Sequence, residues 1–154
     1  MKAKAKQSLS AFLISVISLA SFEASAAVAP YAEEHMEQEA SLIVSGKVLS
    51  ITSKTQKSTH ERDLLIARDR IVTITLEVSS VSKGKGAKVG DQMKFQAWQP
   101  STRFPPMPGP QGHQPIPAKG DLVKTYLLYN KQTKTYHPFM PNGIKILKKA
   151  KKSK

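Results

Sequence analysis

The chain reads as an all-β protein: a small antiparallel barrel of five or six strands carrying a long proline-rich loop. Three observations predict it. Residues 70–81 alternate with a period of two, glycine-bearing turns join the apolar segments, and helical periodicity is scarce throughout the 154 residues.

The first strand is expected in SLIVSGKVLSI, residues 41–51, which is rich in β-branched side chains and has Gly46 in its middle, where a strand glycine marks a bulge or bend. A polar segment, TSKTQKSTHERD, follows as a connection. RIVTITLEVSSV then places Val72, Ile74, Leu76 and Val78 on one face and Thr73, Thr75, Glu77 and Ser79 on the other. SKGKGAKVGD is a turn-rich connection. In DQMKFQAW, Met93, Phe95 and Ala97 alternate with Gln92, Lys94 and Gln96, which leaves Trp98 on the polar side. Gln99 to Gly120 holds seven of the ten prolines and reads as an excursion. Unstructured loops of that length are uncommon inside compact domains and are usually functional or disordered. DLVKTYLLYN supplies a strand covered on both faces, and TYHPFM, a Pro-Asn-Gly turn and IKIL supply one or two short ones.

Residues 1–26 have the pattern of an export signal: Lys2, Lys4 and Lys6, an apolar run, then small residues before a cut near Ala26. That run, Leu9 to Ala20, is well short of the ~20 residues that span a membrane, and no transmembrane anchor is expected. Residues 27–40 form an acidic arm with four glutamates, in which a short helix starting at Pro30 has little apolar stripe to hold it. Residues 41–147 form the barrel domain, and 148–154 a basic tail. The net charge is +13, and the loss of three lysines and one glutamate with residues 1–26 leaves +11. Six of those charges are lysines in residues 145–154, so Lys148, Lys149, Lys151, Lys152 and Lys154 offer salt-dependent attraction to anionic polymers. The chain has no cysteine, which removes disulfides, thiolate nucleophiles and Cys-based zinc sites.

The order of a bent strand with a mid-strand glycine, a long alternating strand, a KG…VGD turn, a third strand, an excursion and two more strands resembles the five-stranded oligonucleotide/oligosaccharide-binding barrel. Within it, SLIVSGKVLSI, VTITLEVSSVSKG and KVGDQMKFQAW are similar to exported bacterial domains of the netrin-like and tissue-inhibitor-of-metalloproteinase type, over about residues 41–99. The resemblance implies a fold and an exported setting. It implies no protease inhibition, because those inhibitors depend on an N-terminal cysteine and disulfides that this chain lacks.

The chain has no G-x-S-x-G elbow, phosphate-binding glycine loop or HExxH pair. His60-Glu61 lacks a second histidine, and Lys83-Gly84-Lys85-Gly86 joins two strands without opening a helix. The expected function is therefore a non-enzymatic binding module without a cofactor or metal, exported to the periplasm or beyond. Its partner would be an anionic envelope polymer or a protein segment, and not nucleic acid. The candidate contacts are Trp98, Arg103, Phe104 and His113 in and beside the proline-rich loop, since aromatic residues and arginine dominate binding hot spots. An alternative for Trp98 and Phe104 is inward packing that seals one end of the barrel. Two other functions stay open: a small metal-dependent hydrolase using His113, His137 and Asp121, and a structural envelope subunit.

Overall fold

The computed structural model describes residues 28–61, 64–106 and 109–151. A short helix α1 (Glu33–Glu39) precedes six strands: β1 (Leu42–Lys57), β2 (Ile66–Lys83), β3 (Gln92–Phe104), β4 (Leu122–Asn130), β5 (Thr135–Pro138) and β6 (Ile144–Lys148). All pairings are antiparallel, in the order β3-β2-β1-β4-β5, with β6 on β4 beside β5. Among the described residues no ladder closes the sheet. The expected export signal lies outside the described residues, and among those residues no helix is long and apolar enough to cross a membrane.

The alternation in β2 works as its sequence predicts. Val72, Ile74, Leu76 and Val78 pack with Val44, Val48, Met93, Phe95, Val123 and Leu127 in the main core. Curvature comes from β1, whose register against β2 shifts at Ile43/Val44, Ser45/Gly46 and Val48/Ser50. Gly46 is needed there, because a Cβ would collide with the Glu77 carbonyl.

Two sequence expectations need correction. Only the second part of the polar stretch after Ile51, from Ser58, forms a connection; its first part continues β1 to Lys57, because ladder bonds to β2 hold it where apolar burial does not. The excursion also begins later than expected, since residues 99–104 belong to β3. Pro100 is tolerated because it sits on the outer strand of the sheet, next to a register shift at Arg68/Asp69.

The acidic arm is tied down. Met36 is buried with Ala40, Ile43, Tyr126 and Phe139 in a second small core. Glu33 receives Lys145 Nζ at 2.8 Å, Lys124 Nζ at 3.1 Å and the Tyr126 hydroxyl. Those bonds, from Lys145 first, hold the Glu33 carboxyl down at about 2. One apolar anchor and an ion-pair cluster thus replace the apolar stripe that α1 lacks. The start of the basic tail is anchored too: Lys148 closes β6, and the Ala150 N–H donates to Asp121 Oδ1 at 2.8 Å. Lys152 and Lys154 lie outside the described residues.

Candidate functional site

At its far end the three-stranded part of the sheet, β1 to β3, reaches beyond the main core, and its two faces do different things. Ala67, Asp69 and Ile71 on β2 share one face with their cross-strand neighbours Arg103, Pro100 and Trp98 on β3. The turn after β1 folds over this face. Asp69, only 1% exposed, is the hub. Its Oδ2 accepts from Ser58 Oγ at 2.7 Å and from His60 Nδ1 at 3.1 Å, and its Oδ1 accepts from Arg103 Nη2 at 2.6 Å. Burial raises the Asp69 pKa, but the bonds from Ser58, Arg103 and His60 outweigh it and leave the carboxyl below its ordinary value. Ser58 Oγ in turn accepts the backbone N–H groups of His60 and Glu61, an ST-turn that closes the connection.

Arg103 is enclosed by partners. Besides Asp69 it donates through Nε to Glu61, and through Nη1 to the carbonyls of Arg68 and Thr102. Arg103, expected among the candidate contacts, has its donor fork turned into the protein. Trp98 is also removed from the surface. The His60 ring stacks on it at 4.0 Å between centroids and 17° between planes, and His113 meets it edge-on at 6.4 Å. Trp98 lies on the polar side of its strand alternation, as the sequence indicates, but that side is locally covered.

His113 closes the gap between the two ends of the sheet path. Its backbone N–H donates to the Trp98 carbonyl at 2.8 Å. Its Nδ1 accepts the Trp98 N–H at 3.1 Å, and its Nε2 donates to the Pro138 carbonyl at 3.0 Å, which fixes the neutral ring with its proton on Nε2. Burial, the largest influence, pushes its pKa down. Gly112, at φ +69°, lets the loop approach this closely, because a Cβ there would meet the Trp98 carbonyl and Gln99 Cα. His113 is 4% exposed and is a structural bridge, not a surface contact.

The residues of the hydrolase alternative do not gather. His137 Nε2 bonds Thr135 at 2.8 Å, and the Asp121 carboxylate accepts the N–H groups of Ala118 and Ala150 at 2.8 Å each. Among the described residues no three His, Asp or Glu side chains are placed to hold a metal ion, and no buried side-chain nitrogen or oxygen lacks a partner. The Ser58, His60 and Asp69 trio is not a nucleophile relay either, since Ser58 and His60 both donate to the same carboxylate oxygen and the serine oxygen already caps the turn.

The opposite face of the same sheet end is open. Lys57 on β1 is the cross-strand partner of Arg68 on β2, and Arg70 lies two residues further along the same face. All three are exposed and, among the described residues, none has a carboxylate within 4.0 Å. Ile66 and Phe104, also paired across strands, form the apolar end of this face at 46% and 54% exposure. A groove of about 610 Å³ runs past Lys57, Leu65, Ile66, Arg68 and Thr102, and its one carboxylate among the described residues, Glu61, is paired with Arg103. Of the residues expected at a contact surface, Phe104 alone is largely exposed. Lys57, Arg68 and Arg70 were not singled out from sequence, because each lies in an unremarkable polar stretch. Only the strand register brings them together. Comparison with protein-family models, curated proteins and solved structures returns no match.

Proposed function

We propose that this chain is an exported, non-enzymatic binding module of the oligosaccharide-binding barrel type, taking an anionic envelope polymer along the face formed by Lys57, Arg68, Arg70 and Phe104. The observation that carries the reading is the Lys57–Arg68 pair. The Ser58 N–H donates to the directly opposite Ala67 carbonyl, so that pair is hydrogen-bonded and the next one, Lys57 with Arg68, is of the non-bonded kind whose side chains lie closest. Like charges so placed destabilise a sheet, and an anion bound between them removes that repulsion. Phe104 adds a flat apolar surface beside the cations, the combination that tracks a charged polymer backbone.

The strand path, with β3 and β5 bridged by His113, supports a partly open barrel. Arg103, Trp98 and His113 contribute by holding the sheet end rigid, which lowers the entropy lost on binding.

The test is binding of dextran sulfate against uncharged dextran, with the double variant Arg68→Ala/Arg70→Ala beside the charge-matched control Lys149→Ala/Lys151→Ala. Dextran sulfate affinity is expected to fall at least tenfold in the first variant, much less in the second, and steeply with added salt. Equal losses in the two variants, or equal binding of uncharged dextran, would overturn the site.

A further inference from the structure

The second half of β1 has a free edge. β1 pairs with β4 only from Leu42 to Lys47, and one further exchange ties Val48 to Gly120 and Asp121. From Ser50 to Lys57 the strand has β2 on one side and, among the described residues, no backbone partner on the other. Which groups are open follows from the ladder. With Ser58 and Ala67 hydrogen-bonded, alternation assigns Gln56, Lys54 and Thr52 to the bonded pairs. Ile51, Ser53, Thr55 and Lys57 therefore point their N–H and C=O groups away from β2.

Proteins blunt such edges with prolines, bulges, very short strands or charge. This one has no proline and no register shift between Ser50 and Lys57, and all of its residues but Ile51 are exposed. Its charge is of one sign: Lys54 on one face and Lys57 on the other, with Arg68 and Arg70 on the neighbouring strand. On the Lys54 side a groove of about 520 Å³ lined by Thr52, Lys54, Gln56, Ile71 and Gln96 offers room for alternate side chains of an added strand.

We infer that residues 50–57 of β1 accept an extended, acidic segment of a partner protein as an additional strand, a main-chain contact along the sheet edge that meets the polymer face at Lys57. Main-chain bonds to Ile51, Ser53, Thr55 and Lys57 supply the pairing, and the lysines select for carboxylates on the incoming segment. The same charges disfavour a second copy of this chain as the occupant. The register of longest antiparallel overlap, Ile51 to Lys57 against itself, sets Lys54 directly against its counterpart in the second copy.

The experiment uses the purified protein and a synthetic ten-residue peptide of alternating Glu and Val, with a Lys/Val peptide as control. Backbone amide exchange is followed residue by residue. Adding the Glu/Val peptide is expected to slow exchange at Ile51, Ser53, Thr55 and Lys57 while leaving Thr52, Lys54 and Gln56, already bonded to β2, little changed. Ser53→Pro removes one outward N–H without touching the β1–β2 ladder, and should weaken peptide binding at least tenfold while leaving dextran sulfate binding unchanged. Lys54→Glu should reverse the preference between the two peptides, and it stands in for the proline variant if that one folds poorly. Uniform or absent protection, equal binding of both peptides, or a concentration-dependent dimer that forms without peptide and is lost in Ser53→Pro would each overturn the proposal.

Discussion

Replacing Asp69 with Asn tests the hub of the covered sheet end. The substitution keeps the volume and one carbonyl acceptor, so a bond to Ser58 or His60 survives. It removes the negative charge facing Arg103, whose side chain is 10% exposed. Stripping one partner from a buried ion pair costs about 3–5 kcal/mol, but Glu61 remains on Arg103, so the loss here should be about 2–3 kcal/mol. For a domain of this size that lowers Tm by about 10 °C. The pH dependence gives a second reading. The folded pKa of Asp69 is below its ordinary 3.8, so its stabilisation is complete above the unfolded value and is lost as pH falls through the folded one. Urea unfolding should therefore show a constant gap between wild type and Asp69→Asn above about pH 5, closing below about pH 4. If the variant melts within about 2 °C of wild type at pH 7, a stabilising role for the cluster is refuted.

The remaining predictions use the same architecture. His60→Ala uncovers one face of the only tryptophan, so intrinsic fluorescence should shift to the red with a stability loss of about 1 kcal/mol in thermal unfolding. The folded pKa of His113 is lowered by burial, so the stabilisation from its neutral ring is present above the unfolded value of 6.5 and lost as pH falls through the folded one. In His113→Gln the decline of stability below about pH 6.5 should flatten, as measured by urea midpoints across pH. Gly112→Ala forces a Cβ onto the Trp98 carbonyl at a positive φ and should cost about 1–3 kcal/mol in the same assay. Glu33→Gln breaks two of the three ion pairs that dock the arm and leaves Lys124 with Glu37. Amide exchange should quicken across residues 33–40 at neutral pH, while in wild type the arm should stay docked until pH approaches 2.

The strands with an apolar face were legible in the sequence. Val72 to Val78 announce β2, Met93 to Ala97 announce the core part of β3, and Gly46 marks the bend in β1. The distal extension was not, because TSKTQK and RDR carry no apolar rhythm there. Their conformation comes from a ladder between residues 11 to 21 apart, from Lys57 with Arg68 to Thr52 with Thr73. The site failed in sequence for the same reason. Arg103 and Asp69 are 34 residues apart, and nothing local says that a carboxylate will occupy the guanidinium. Trp98 was readable as a residue on the wrong side of its strand, which was the one available sign that this face is covered. What covers it, His60 and His113, comes from two connections whose paths the sequence does not encode by pattern.

The seam between β3 and β5 behaves differently from every other junction in the sheet. A ladder can fray one bond at a time from its end, each lost bond exposing a single residue. This junction has no such ladder: it is carried by the His113 ring and by the Gln114 N–H, which donates to the Pro141 carbonyl at 2.7 Å. When the ring leaves, the Trp98 N–H and the Pro138 carbonyl lose their bonds to it together, and the indole loses the edge of its cover. Opening along this line would break these bonds as a local unit, and the single tryptophan sits where its emission reports it.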